Sequence, residues 1–191
     1  MKNAADNIDL GKVDVILYNT RRSELPPIGR LSTPEQAAAF YALGESVITS
    51  AETKDPEMIG KAKRVVGFDP FIMGNEAKNI ERIREIVKNN PAIDCYVVNT
   101  GYVGDESNDI SVDVTLACLN NMLRDNIQWK YDEALGYEVP ENVEGIEWSK
   151  FIPENYFGQE KFKEMMNNLR AERKEYLSQI DNLSEDIINS L

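Results

Sequence analysis

The sequence predicts an α/β fold, a small mixed sheet flanked by helices, with a long helix at the C-terminus. Two short apolar runs, Val13 to Tyr18 and Asp94 to Asn99, are rich in β-branched residues and suit strands buried by helices. Segments with helix-start signals and helical spacing lie between and after them. The resulting order of strand, helix, loop, helix, strand, helix is that of an α/β protein. A chain of 191 residues suffices for one domain, or for a domain with a helical appendage. The division predicted is an α/β lobe over residues 1–158 and a C-terminal helix over 159–191.

The elements follow in order. The first strand ends in Asn19-Thr20-Arg21-Arg22, and Leu25-Pro26-Pro27 makes a stiff turn. Thr33-Pro34-Glu35-Gln36 starts a helix: Thr33 caps, Pro34 fits the first helical position and Gln36 completes a capping box. This helix is expected to reach about Ile48. Residues 51–67 are polar and aperiodic, so they read as an irregular loop with one helical turn near 56–62, and as the most mobile internal segment. Asn75 caps an amphipathic helix whose face holds Ile80, Ile83 and Val87, and Asn89-Asn90-Pro91 ends it. After the second strand, Gly101 and Gly104 punctuate a loop, and a third helix runs from about Ser111 to Leu123. Gln128 to Val139 holds two short strands around Gly136, and 140–158 reads as a surface connection. The last helix starts near Gln159. Phe162, Met166, Leu169, Tyr176, Ile180, Leu183 and Ile187 make a stripe that Arg173 interrupts. The stripe fits one helix packed on its own domain, or a coiled-coil-like seam for self-association.

Composition restricts function. The chain carries 33 acidic and 21 basic residues, a net charge of −12, which repels phosphate backbones and anionic membranes. No apolar run approaches the roughly 20 residues of a membrane span, and the first residues, MKNAADNIDLG, lack the apolar centre of a secretory signal. Neither nucleic acid nor membrane is an expected partner. Cys95 and Cys118 are too few and too far apart for a metal knuckle or disulfide framework, so both read as small buried hydrophobes in a reducing cytoplasm.

Ligands of α/β sheets bind beyond the carboxyl ends of strands, so loops 19–32 and 99–111 are the ones to watch. Arg21 and Arg22 leave the first strand there; two guanidiniums can clamp a phosphate or carboxylate, or form a bridge to Glu24. Asn99-Thr100-Gly101 leaves the second strand in the same sense, where a glycine allows backbone donors to approach a ligand or makes an ordinary turn. Asp105, Glu106, Asp109 and Asp113 form an acidic loop without the offsets of a calcium-binding hand. The sequence contains no G-x-x-x-x-G-K-[ST] phosphate loop and no histidine. It therefore offers no Ser-His or Cys-His pair and no imidazole metal ligand; carboxylate or lysine chemistry stays open, but no spacing singles out catalytic residues for it.

Several motifs, in this order, resemble the C-terminal part of ATP-type phosphoenolpyruvate carboxykinase. They are Leu25-Pro26-Pro27-Ile28-Gly29-Arg30-Leu31-Ser32 with Gln36, the Ala51-Glu52-Thr53 turn, Tyr96-Val97-Val98-Asn99-Thr100-Gly101-Tyr102, and Val139-Pro140 before a terminal helix after Phe157. The resemblance implies a family that converts oxaloacetate and ATP to phosphoenolpyruvate, carbon dioxide and ADP with magnesium and manganese. It implies that the phosphate loop and metal ligands lie in a part of the enzyme this chain does not represent, and that 51–67 corresponds to the mobile lid. By the same likeness Ile110, Ser111 and Thr115 flank the adenine site, but Asp109 stands where the family has an arginine. Arg21-Arg22 resemble the double arginine that faces nucleotide phosphates in GTP-type relatives. The expected partner is then the remaining, phosphate-loop part of the enzyme, and neither ATP nor a metal is expected on this chain alone.

Overall fold

The computed structural model describes residues 11–48, 52–68 and 74–191. Expectations for residues 1–10 and for Ala51 lie outside them. Seven strands form: β1 (Val15–Thr20), β2 (Ile28–Leu31), β3 (Glu45–Val47), β4 (Ala62–Arg64), β5 (Asp94–Asn99), β6 (Trp129–Asp132) and β7 (Tyr137–Pro140). The helices are α1 (Pro34–Leu43), α2 (Glu76–Asn89), α3 (Val112–Leu123), α4 (Pro153–Phe157), α5 (Gln159–Ser178) and α6 (Glu185–Ile188).

The main sheet is mixed, in the order β1-β5-β2-β7-β6, and β3 and β4 form a separate two-stranded ribbon. β1 runs parallel to β5, pairing Val15 with Asp94 through Thr20 with Asn99. β2 lies antiparallel to β5 on its other side. With neighbours on both edges and helices on both faces, β5 has no polar face to offer, which is why Cys95 to Val98 read as a continuous apolar run. Cys95 and Val97 point to one face, with Tyr18, Leu31, Tyr137 and helices α1, α2, α5 and α6. Tyr96 and Val98 point to the other, with Ile28, Cys118 of α3 and the segment that carries Val143, Trp148 and Phe151. Both thiols are free and buried, and burial pushes Cys95 up to about 11 and Cys118 up to about 12. Both stay neutral and behave as small hydrophobes.

α1 starts as its sequence predicts. Thr33 Oγ1 accepts from the Gln36 backbone N–H at 3.1 Å, and the Gln36 side chain accepts from Ser32 N–H at 2.8 Å, one residue before the cap. Its Nε2 donates to Gly136 O at 2.6 Å, so the same residue ties α1 to the β6–β7 turn. Ala37, Ala38, Ala39 and Ala42 are fully buried, which lets α2 and α6 approach closely. The helix stops at Leu43, not Ile48. Gly44 takes a left-handed conformation (φ 43°) and donates to Phe40 O, and the chain turns into β3.

Three further expectations are corrected. β2 lies inside what reads as a loop; its Gly29 runs so close under the Tyr137 ring that a Cβ there would overlap it. Residues 140–158 are no surface connection: Val143, Trp148 and Phe151 cover one face of the sheet, and Trp148 Nε1 donates to Pro140 O at 3.1 Å. The terminal helix breaks after Ser178, Asn182 adopts a positive φ of 64°, and α6 folds back. Ile180, Leu183, Ile187 and Ile188 enter the same core as α1. Arg173 does not interrupt the stripe but belongs to it, buried between Leu169 and Leu177.

Candidate functional site

The carboxyl ends of β1 and β5 open into a cleft of about 580 Å³. Arg21 to Glu24 form one side, Thr100 to Tyr102 with Glu106 and Asp109 a second, and Val47, Ile48, Ile59 and Gly60 a third. The third wall belongs to the β3–β4 ribbon, closed above β3 by Ile48 N–H to Lys61 O at 2.9 Å and Gly60 N–H to Ile48 O at 2.8 Å. No residue of this wall stood out in the sequence, because β3 and β4 have three residues each and their pairing spans a polar, aperiodic stretch.

Asn99 organises the site from beneath. It is fully buried at the end of β5. Its amide donates to the carbonyls of Arg22 at 2.7 Å and Leu25 at 2.8 Å. Its Oδ1 accepts from the N–H of Gly101 at 3.1 Å and of Arg22 at 3.3 Å. Thr100 N–H is taken by Thr20 O at 3.0 Å. The Asn99-Thr100-Gly101 turn therefore spends its side chain and two backbone donors on joining the strand ends, and presents Thr100 and Gly101 to the cleft as surface.

The two arginines part company. Arg21 is exposed on the cleft and, among the described residues, has no hydrogen-bond or ion-pair partner. Arg22 lines the cleft but is held by carboxylates: Nε lies 3.2 Å from Glu24 Oε1, and Nη2 lies 3.5 Å from Glu45 Oε1 and 3.6 Å from Glu172 Oε2. Behind it stands a buried charge cluster. Glu45, 3% exposed, accepts from Arg173 Nη2 at 2.6 Å and Arg64 Nη2 at 2.8 Å, and Arg64 also reaches Glu172 at 2.7 Å. Burial alone would raise the Glu45 pKa, but Arg173, Arg22 and Arg64 outweigh it and hold the carboxyl at about 2. The cluster joins the ribbon, α5 and the loop after β1.

The 101–110 loop is internally closed. Ile110 N–H donates to Gly101 O at 2.8 Å, and Val103 N–H to Asn108 O at 3.1 Å. Asp105 accepts from Ser107 and from the Tyr156 hydroxyl, and those bonds hold it below the usual carboxylate range. Ile110 is buried in the core, Ser111 caps α3 by accepting from Val114 N–H at 3.3 Å, and Thr115 sits in the first turn of that helix. None of the three lines the cleft; Asp109 does. Among the described residues no three His, Cys, Asp or Glu side chains group as a metal site, and no helix is long and apolar enough to cross a membrane.

The family model described as phosphoenolpyruvate carboxykinase matches residues 1–149. A phosphoenolpyruvate carboxykinase (ATP) of Aeropyrum pernix is 33% identical over 181 residues, 95% of this chain and 35% of that protein. One of Bacillus cytotoxicus is 26% identical over 208 residues, covering 98% of this chain and 38% of its own length. One of Allorhizobium ampelinum is 28% identical over 136 residues, 68% of this chain and 25% of its own length. The chain thus spans between a quarter and two fifths of the length of these relatives.

Proposed function

The chain belongs to the phosphoenolpyruvate carboxykinase family, and from that premise we propose that it is the C-terminal lobe of such an enzyme, supplying one wall of the nucleotide site without turning over substrate by itself. One observation carries the reading: an exposed arginine with no partner among the described residues, Arg21, stands over a cleft at the carboxyl ends of parallel strands β1 and β5. That is where α/β sheets bind ligands.

The residues present fit part of a nucleotide and not the whole. Arg22 is already neutralised, and Glu24, Glu106 and Asp109 add negative charge. One free guanidinium does not hold a triphosphate against three carboxylates, and among the described residues no three carboxylates group to hold magnesium or manganese. Val47, Ile48 and Ile59 offer apolar surface to a base or ribose, and Glu106 and Asp109 accept hydrogen bonds from hydroxyl or amino groups. Arg21 then meets the nearest phosphate. Phosphoryl transfer needs groups that cradle the phosphates and a metal that would neutralise their charge, and in this reading both would be held by the remaining part of the enzyme. The whole enzyme's conversion of oxaloacetate and ATP to phosphoenolpyruvate, carbon dioxide and ADP belongs to that assembly. The same reading puts the protein in the cytoplasm, where the two unpaired thiols stay reduced.

A second reading, an interaction module derived from the same fold, is favoured by α3. Val112, Leu116 and Leu123 are 74%, 50% and 69% exposed along one flank of that helix. Such a flank suits a partner, whether the rest of an enzyme or another copy. The purified chain, given oxaloacetate, ATP, magnesium and manganese in a coupled assay, is expected to show no turnover above a protein-free control. Turnover that survives repurification would contradict the proposal.

A further inference from the structure

Arg22 belongs to two structures at once: it lines the cleft and it touches the buried charge cluster. Its hold on the cluster is the loosest there. Its three contacts are 3.2–3.6 Å, while Arg64 and Arg173 reach their glutamates at 2.6–2.8 Å. The Nε atoms of Arg22, Arg64 and Arg173 are all buried without a hydrogen bond, but only Arg22 both lines the cleft and lacks a contact shorter than 3.2 Å to a carboxylate. Glu45 keeps two arginines without it, and Glu172 keeps Arg64. A planar guanidinium with an unused donor is suited to bidentate phosphate contact.

We infer that Glu172, on α5, is an internal competitor for the cleft's second cation: its carboxylate occupies Arg22, and its release lets Arg22 turn to a phosphate chain in the cleft beside Arg21. This rests on the proposed reading of the cleft as a nucleotide site, and names a contact that sets its affinity. Glu172 is the member of the cluster suited to that part. It is 47% exposed, whereas Glu45 is buried and Glu24 is fixed two residues from Arg22, accepting from Ser23 Oγ at 3.0 Å. Water replaces an exposed carboxylate at small cost. A glutamine at 172 still offers Arg64 an acceptor, so the fold is kept. The latch also makes anion affinity depend on where α5 lies, since the helix carries Glu172 and Arg173 side by side.

The test is a double-mutant cycle on the full chain. Amide chemical shifts are followed while inorganic tripolyphosphate is added at low, fixed ionic strength to the unmodified chain, Glu172→Gln, Arg22→Gln and the double variant. Thermal melts check that each is folded, and Arg22→Lys, which keeps the charge but not the fork, replaces Arg22→Gln if that variant melts early. Glu172→Gln is expected to bind about fivefold tighter, the upper end for an exposed ion pair, and the gain is expected to vanish without Arg22. An equal gain with and without Arg22, or no gain, would overturn the latch. Arg21→Gln separates the two ideas. Lost affinity there beside a flat Glu172→Gln response keeps the cleft reading and removes the latch. Unchanged affinity there beside an Arg22-dependent gain in Glu172→Gln keeps the latch and removes Arg21 as the residue that meets phosphate. No binding by any variant, Glu172→Gln included, contradicts both.

Discussion

At the scale of single residues, two side chains hold the site in shape. Glu45 is a buried anion among three arginines, and removing one partner of such a cluster leaves charge uncompensated. Glu45→Gln is expected to cost about 3–5 kcal/mol of stability in urea unfolding at neutral pH; a loss below about 1 kcal/mol would show that the arginines re-pair easily. Folding lowers the Glu45 pKa from its ordinary 4.5 to about 2, so across that interval the folded chain binds fewer protons than the unfolded one. Its stabilisation is complete above about pH 4.5 and is lost as pH falls towards 2. Stability should therefore fall less steeply over that window in Glu45→Gln than in the unmodified chain, and identical slopes would contradict the assignment. Asn99 gives the second test. Asn99→Ala leaves the Arg22 and Leu25 carbonyls and the Gly101 N–H without partners, an expected loss of about 2–4 kcal/mol. A substitution that leaves stability unchanged and weakens only ligand binding would make Asn99 a ligand-facing residue instead.

At the scale of elements, the C-terminal segment is part of the core. Deleting the chain after Ser178 removes Ile180, Leu183, Ile187 and Ile188 from the α1 side of the sheet. Single buried Leu or Ile truncations cost about 2–5 kcal/mol each, so the shortened chain is expected to lose cooperative unfolding. A sharp melt near that of the full chain would show that α6 is dispensable. Elements built on local signals were legible: Thr33, Asn75 and Ser111 each cap a helix, and the β-branched runs became β1 and β5. Elements that exist through distant partners were not. Ile28–Leu31 is four residues with a glycine and an arginine, and only its pairing with β5 makes it a strand. α1 was expected to reach Ile48 and ends at Leu43, because Gly44 takes the left-handed conformation that closes the helix. Arg173 read as a break in a stripe because its partner Glu45 is 128 positions away. The candidate site divided in the same way. Sheet geometry pointed to both strand ends, and Arg21, Thr100 and Gly101 meet there. Asn99 was drawn inward by partners that spacing does not reveal, and Arg22 took the nearby bridge to Glu24 that spacing offered together with Glu45 and Glu172, which it did not.

At the scale of the whole molecule, the net charge bears on any anionic ligand, and the span of the match on how much of a site this chain can hold. A net charge of −12 opposes an anionic ligand, and the chain spans 35% of its Aeropyrum pernix relative. Affinity for a nucleotide is expected to be weak, on the order of millimolar, because among the described residues of the cleft one unpaired guanidinium and an apolar wall meet it. Replacing Asp109 with arginine should strengthen binding by removing an anion from the cleft and adding a cation. The account stands or falls on whether the cleft between β1, β5 and the ribbon is the place where a nucleotide touches this chain. The most direct measurement is an amide chemical-shift titration of the full chain with ATP, repeated with Arg21→Gln. The account predicts shifts concentrated at Arg21, Ile48, Ile59, Thr100 to Tyr102 and Asp109, with affinity reduced by Arg21→Gln. Shifts centred elsewhere, or on the cleft but indifferent to Arg21, would contradict it.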